Sequence, residues 1–187
     1  MTEIPPVCEF GRPIVDFVLP EPATGNSVSL ADVKGEKGTL VMFICNHCPF
    51  VLAVVDRIVR DAKELQALGI GVVAISANDI ETYPQDAPDK MVELAAEQGF
   101  TFPYLFDESQ DVARAFEAVC TPDFFGYNAA GELQYRGRLD ESRKEAAPAD
   151  ARRDLFEAMK GVAATGRGPS EQVPSMGCSI KWVGSNP

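Results

Sequence analysis

The stretch that decides the fold is TLVMFICNHCPFVLAVVDRIVRDAKELQALG, residues 39–69. Residues 39–44 are a continuous β-rich apolar run, which is typical of a strand buried on both faces of a sheet. From about Pro49 to Leu68, apolar residues recur every three or four positions, as along one face of a helix, and Gly69 ends the pattern. A second apolar run follows at 70–76. Strand, helix and strand in this order predict a βαβ unit with parallel strands.

Between the first strand and the helix lies the motif Cys45-Asn46-His47-Cys48. The first turn of a helix has unpaired N–H groups and a partial positive charge, which stabilise a thiolate and lower its pKa. Only the thiolate attacks a disulfide, so Cys45 is the predicted nucleophile. Cys48 lies one turn further on and is the predicted resolving thiol. A protonated His47 would add positive charge beside the pair.

The rest of the chain is typical of one α/β domain. A short apolar run at 15–19 and an alternating polar and apolar stretch at 27–30 flank a turn and predict an N-terminal hairpin. Further predicted strands are 102–106, 123–127 and 133–138, and further predicted helices are 89–98, 109–118 and 149–162. We assign residues 1–164 to this domain. Residues 165–187 are rich in Gly, Pro and Ser, lack clear periodicity and are predicted to form a C-terminal tail.

Charge and apolar patterning exclude several classes of function. The formal net charge is -11, which argues against binding nucleic acid or an anionic membrane surface. The longest apolar runs are far shorter than the roughly 20 residues that a bilayer-spanning helix needs. The first residues, MTEIPP, lack the basic and apolar segments of a secretory signal, so we expect a cytoplasmic protein. In a reducing compartment, five cysteines favour catalysis, metal binding or burial over structural disulfides.

A second motif, Cys120-Thr121-Pro122, precedes a predicted core strand. With the first motif it makes the chain resemble the thioredoxin superfamily, and within it the peroxiredoxin-like and TlpA-like (AhpC/TSA) redoxin branch, over about 15–162. This resemblance implies a thioredoxin-like fold, a central mixed β-sheet flanked by helices, with a redoxin-type insertion at about 78–106. It also implies a cis-proline at Pro122. The peptide before that proline can pair with a bound substrate, so Thr121, Pro122 and His47 are candidate substrate-binding residues.

The chain departs from its relatives at several positions. Peroxiredoxins resemble it but carry Pro-X-X-X-Thr-X-X-Cys; aligning that cysteine with Cys48 puts Val41 at the proline and Cys45 at the threonine. The activating arginine is missing from 119–122. Thr39 stands where thioredoxins have a buried aspartate that accepts the resolving thiol's proton, so water, Asp79 or Glu81 would have to serve.

Three functions remain open on these residues. The first is thiol–disulfide exchange through Cys45 and Cys48, which requires no cofactor or metal. The second is a peroxiredoxin-like thiol peroxidase. The third is a metal-binding module, similar to thioredoxin-fold copper chaperones, with Cys45, Cys48, His47 and Cys178 as ligands. Expected partners are a disulfide-containing protein, a small thiol or a peroxide as substrate, and thioredoxin or glutathione as reductant.

The other cysteines have two interpretations each. Cys120 adjoins the predicted cis-proline and is either a third redox thiol or a small buried hydrophobe. Cys178 either folds back as a resolving thiol or belongs to a mobile tail. Its sequence context, PSMGCSIKW at 174–182, resembles a terminal motif of one group of such proteins. Cys8 is predicted to be a bystander.

Overall fold

The computed structural model describes residues 1–185. The strands are β1 Thr2–Glu3, β2 Val18–Pro20, β3 Ser27–Ser29, β4 Gly38–Phe43, β5 Ile70–Ser76, β6 Tyr104–Phe106, β7 Cys120–Thr121, β8 Asp123–Asn128, β9 Leu133–Tyr135 and β10 Gly177–Ser179. The helices are α1 Leu30–Val33, α2 Pro49–Leu52, α3 Val55–Ala67, α4 Pro88–Gln98, α5 Asp111–Phe116 and α6 Asp154–Thr165, with a 3-10 turn at Pro84–Asp86. None of these helices is long and apolar enough to cross a membrane.

The central sheet has five strands in the order β6-β5-β4-β8-β9. Strands β4, β5 and β6 are parallel, whereas β8 runs antiparallel to β4 and β9 antiparallel to β8. The sheet is therefore mixed, as predicted, and β4 lies at its centre. All six residues of β4 are buried, which explains its continuous apolar run. Because β4 ends at Phe43, the chain carries Cys45 to the end of the central strand.

The two faces of the sheet pack against different helices. On one face, Leu40 and Met42 join a core that includes Ile58 and Leu65 of α3 and Met159 of α6. On the other face, Val41 and Phe43 pack with residues of α1 and α5. Alternate residues of β4 point to opposite faces, so this one strand supplies both cores. The thioredoxin-like fold is confirmed, with helices on both faces and an N-terminal hairpin formed by β2 and β3.

Several predicted helix bounds are wrong. The single helix predicted from Pro49 to Leu68 is two helices, because the chain breaks at Ala53 and Val54. This region is rich in valine, whose branched side chain lowers helix propensity. α5 starts after Gln110, which has a φ of 66°, instead of at a Ser109 cap.

The segment after α6 is packed against the domain. Strand β10 lies between β1 and β7, antiparallel to both, with Cys178 opposite Thr121 and Ser179 opposite Cys120. Downstream, the Lys181 N–H donates to Asn78 Oδ1 at 2.9 Å, and Ile180 is buried. The interpretation of Cys178 as part of a mobile tail is therefore wrong. We call residues 174–183 the strap.

The buried face of α3 gives a matched test of the core. Leu65 is fully buried, whereas Leu68, one turn further on, is 38% exposed. Leu65→Ala should lower the free energy of unfolding by about 2–5 kcal/mol because it leaves a cavity. Leu68→Ala, which removes the same atoms from a partly exposed position, should cost less than about 1 kcal/mol. Urea denaturation under reducing conditions measures both, and equal losses would contradict this placement of α3.

Candidate active site

Cys45 and Cys48 meet at Thr121, the residue before the cis-proline. The Thr121–Pro122 peptide is cis, as the resemblance implied. Cys45 Sγ lies 3.3 Å from Thr121 Oγ1, and the Cys48 thiol donates to the Thr121 carbonyl at 3.1 Å. The two cysteines are 1% and 0% exposed, and neither is in a disulfide. The predicted redox motif and the predicted proline loop thus form one buried site.

The two thiols have opposite pKa shifts. The Cys45 thiol, followed by the thiol of Cys178 and the Thr121 hydroxyl, stabilises a Cys48 thiolate and lowers the pKa of Cys48 to about 4, against the effect of burial. The pKa of Cys45 is raised well above its usual range, first because its thiol donates to Cys48, then by burial and by the negative charge of Asp86. In the reduced pair these opposite shifts favour a thiolate on Cys48 over one on Cys45. The sequence instead predicts Cys45 as the nucleophile.

A buried carboxylate, Asp86, stands beside the motif and was missed by the sequence analysis. Asp86 Oδ1 accepts from the Asn46 backbone N–H at 2.8 Å, and Oδ2 lies 2.6 Å from His47 Nδ1. Oδ2 also accepts from Asn78 Nδ2 at 2.8 Å. His47 stacks on Tyr83 with ring centroids 5.4 Å apart. This network fixes the two residues between the cysteines.

The carboxylate that lies beside Cys45 is Asp86 and not Asp79, which the sequence offered as a proton acceptor. The Asp79 carboxylate instead accepts from the Glu81 N–H and the Thr82 hydroxyl, within its own turn. Asp86 comes from the insertion after β5, in the short turn before Pro88. Asp86 does not belong to any sequence motif with Cys45, so motif spacing does not identify it. The proline pair at 84 and 88 marks a turn there and was the available sequence signal.

The strap closes the site from the other side. Gly177 lies so close to β7 that a Cβ there would stand 2.1 Å from the Thr121 carbonyl oxygen. The Ser175 hydroxyl donates to the Pro122 carbonyl at 2.8 Å. Cys178 lies opposite Thr121, is partly exposed, and packs against the core that contains Cys48. Three cysteines therefore converge on Thr121.

Cys120, Cys8 and Arg136 contact groups other than the sulfurs of Cys45 and Cys48. Cys120 is fully buried, its thiol donates to the Pro122 carbonyl, and burial raises its pKa. Burial raises the pKa of Cys8 to about 11, beside Gln172 and Arg136. Arg136 is itself buried and pairs with Asp123 at 3.0 Å. Arg136 is thus engaged by a carboxylate of β8.

The structure brings together a different set of candidate metal ligands from the set predicted from the sequence. The side-chain donor atoms of Cys45, His47 and Asp86 lie within 4.8 Å of one another. Asp86 therefore replaces Cys48 and Cys178 in the candidate set. The His47 Nδ1 atom already contacts the Asp86 carboxylate, so a metal there would have to replace or share this contact.

Comparisons with known proteins bear on this site. The family model described as AhpC/TSA matches residues 10–136. The chain belongs to the AhpC/TSA family. A Mycobacterium tuberculosis (strain H37Rv) protein named "Putative peroxiredoxin Rv2521" is 28% identical over 128 residues, which cover 68% of this chain and 76% of that protein.

Two solved structures are similar to this AhpC/TSA protein. A crystal structure from Geobacillus kaustophilus, described as an uncharacterized conserved protein, is 41% identical, covers 100% of this chain and 98% of its own, and has a TM-score of 0.92. A secreted Mycobacterium tuberculosis disulfide oxidoreductase shares the fold with a TM-score of 0.57 at 16% identity, over 79% of this chain and 94% of its own. The chain is thus a redoxin with a thioredoxin-like fold.

The charge of Asp86 gives a prediction for the pKa of Cys45. Asp86→Asn keeps an acceptor for the Asn46 N–H but removes the negative charge, so the pKa of Cys45 should fall. The measurement is the rate of Cys45 alkylation in the intact protein as a function of pH, followed on tryptic peptide 38–57. The background is Cys48→Ser, so that Cys45 is the one cysteine of this peptide. Asp79→Asn is the matched control and should leave the profile unchanged. An unaltered profile in Asp86→Asn would contradict the electrostatic role.

The close approach at Gly177 gives a second prediction. Gly177→Ala should push the strap from β7, cost about 1–3 kcal/mol of stability and speed alkylation of Cys178. Gly161→Ala is the control, because the nearest atom to a Cβ at this helical position is 3.9 Å away. It should be neutral or stabilising by up to about 1 kcal/mol. Thermal unfolding and the alkylation rate of peptide 168–181 test both. An unchanged rate in Gly177→Ala would be the contrary result.

Proposed function

We propose that this redoxin is a thiol–disulfide oxidoreductase that cycles Cys45 and Cys48 between dithiol and disulfide. The observation that carries the proposal is the opposite pKa shift of two thiols that contact the same threonine. Two thiols that contact the same residue are placed for exchange with each other, and the lowered pKa of Cys48 favours the thiolate that attacks. Membership of the AhpC/TSA family supports thiol-based redox chemistry in general.

In the proposed cycle Cys48 attacks first. Its thiolate attacks one sulfur of a substrate disulfide, forms a mixed disulfide and releases the other sulfur as a thiolate. Cys45 then attacks Cys48 Sγ, the Cys45–Cys48 bond forms, and the second substrate thiolate leaves. Cys45 must lose its proton in this step, and Asp86 with His47 is the adjacent proton-accepting group. An external dithiol protein or glutathione then reduces the Cys45–Cys48 disulfide.

Peroxide reduction is the second candidate, and it rests on the lowered pKa of Cys48. Cys48 would be the peroxidatic cysteine if the peroxiredoxin motif is aligned on it, and the curated relative bears a peroxiredoxin name. Against it, Cys45 stands where the threonine of that motif would orient peroxide, and Arg136 is paired with Asp123. Exchange with a disulfide requires neither the threonine hydroxyl nor a free arginine.

Single substitutions test which cysteine attacks. With oxidised glutathione as substrate, Cys45→Ser should still form a disulfide through Cys48, since the attacking thiol is retained and only Cys45 is gone. Cys48→Ser should lower the rate of mixed-disulfide formation on peptide 38–57 by roughly 100-fold or more. Cys8→Ser, a partly buried thiol outside the site, should behave as wild type. A stable adduct on Cys45 in Cys48→Ser would reverse the assigned roles.

The same preparations separate disulfide from peroxide chemistry. The two rates to compare are reduction of oxidised glutathione and consumption of hydrogen peroxide, each with a dithiol donor. We expect the disulfide to be reduced faster, because the site lacks the groups that position peroxide. Faster peroxide turnover that depends on Cys48 would establish the second candidate instead.

A further inference from the structure

The strap occupies the edge where a substrate would be expected to pair. The resemblance implies that an extended substrate adds to the peptide before Pro122. In this protein that edge, Cys120–Thr121 of β7, is already paired with β10. The register puts Cys178 opposite Thr121, the residue that contacts both motif cysteines. Cys178 therefore holds the place that a substrate cysteine would take.

Exposure distinguishes Cys178 from the other two thiols of the cluster. Cys45 and Cys48 are 1% and 0% exposed, so solvent does not reach them. Cys178 is partly exposed. Beside the strap lies an open groove of about 600 Å³ whose lining includes Met176, Thr2 and Phe50. Thr2 pairs with Cys178, and Phe50 lies in α2 two residues after Cys48, so the groove lies beside the strand pairing of Cys178 and the start of α2.

We propose that Cys178 is a third redox thiol, which exchanges with the Cys45–Cys48 disulfide and links the buried pair to external thiols. This inference rests on the proposed function. The Cys178 thiolate attacks Cys48 Sγ, the Cys48–Cys178 bond forms, and the Cys45–Cys48 bond breaks. Cys45 leaves as a thiolate and takes up the proton that Cys178 gave up. One disulfide replaces another, so the step needs no external oxidant.

The exchanged disulfide is then open to an external reductant. A low-molecular-weight thiol or a dithiol protein attacks the partly exposed Cys178 Sγ, and Cys48 leaves as a thiolate. Cys48 is well suited to leave, because neighbouring donors lower its pKa to about 4. Burial and then the Cys48 thiolate raise the pKa of Cys178 to about 11. The second of these effects disappears once Cys48 is part of a disulfide, so Cys178 ionises more readily in the oxidised protein.

Peptide mapping tests the proposal directly. Trypsin separates the motif peptide 38–57 from the strap peptide 168–181 and from the Cys120 peptide 115–136. The full-length protein is oxidised with oxidised glutathione, its free thiols are alkylated in acid, and it is digested without reduction. We expect a cross-link between 38–57 and 168–181 in wild type and in Cys45→Ser. The cross-link should be absent in Cys48→Ser and Cys178→Ser and unchanged in the control Cys8→Ser.

Turnover distinguishes failure of this inference from failure of the proposed function. Cys178→Ser should still form the Cys45–Cys48 disulfide, but reduction of that disulfide by a dithiol donor should slow by about tenfold or more. Cys178→Ala should behave like Cys178→Ser. If the oxidised wild type contains the Cys45–Cys48 disulfide, Cys178 stays alkylatable and Cys178→Ser turns over normally, the third thiol is disproved and the proposed function stands. If Cys48 enters no disulfide in any variant, the proposed function fails as well.

Discussion

Thr121 is the residue on which the geometry of the site depends. Its hydroxyl contacts Cys45, its carbonyl accepts from Cys48, and its backbone pairs with Cys178. Three sulfurs from distant parts of the chain are thus positioned by one residue of a two-residue strand. The close approach of the strap requires a residue without a side chain at 177, because any Cβ would clash with the Thr121 carbonyl. The register of β7 and β10 therefore places Cys178 opposite the residue that contacts both motif cysteines.

The buried carboxylate of Asp86 affects which thiol of the site can ionise. A buried carboxylate needs donors, and Asp86 receives them from Asn46, Asn78 and His47. Its negative charge then opposes a second anion on Cys45. The thiols of Cys45 and Cys178 lower the pKa of Cys48, which favours a thiolate at Cys48. The four-residue α2 replaces the long helix expected after the motif, so these short-range donors, more than a helix dipole, account for the low pKa.

Local patterns predicted the fold well, and long-range pairing limited the prediction of the site. The apolar run at 39–44, the Cys-X-X-Cys motif and Thr121-Pro122 each have a local signature, and the structure brings them together as expected. Asp86 has no such signature, because its role arises from a turn in the insertion that folds back on the motif. β10 is three residues long and pairs with partners of two residues each. No periodicity could identify so short a strand, so the strap was assigned to a tail.

The strap also bears on what can reach the buried pair. Its release would break the Ile180 N–H bond to the Val119 carbonyl, the Lys181 bond to Asn78 and the Ser175 bond to Pro122, and would expose Ile180. Each hydrogen bond contributes about 0.5–1.5 kcal/mol and the isoleucine about 1.5–3 kcal/mol. A protein substrate that pairs with β7 would have to replace all of these contacts. Exchange through a thiol already on the strap replaces none of them, and for this reason the bound strap is compatible with the proposed exchange between Cys178 and the buried pair.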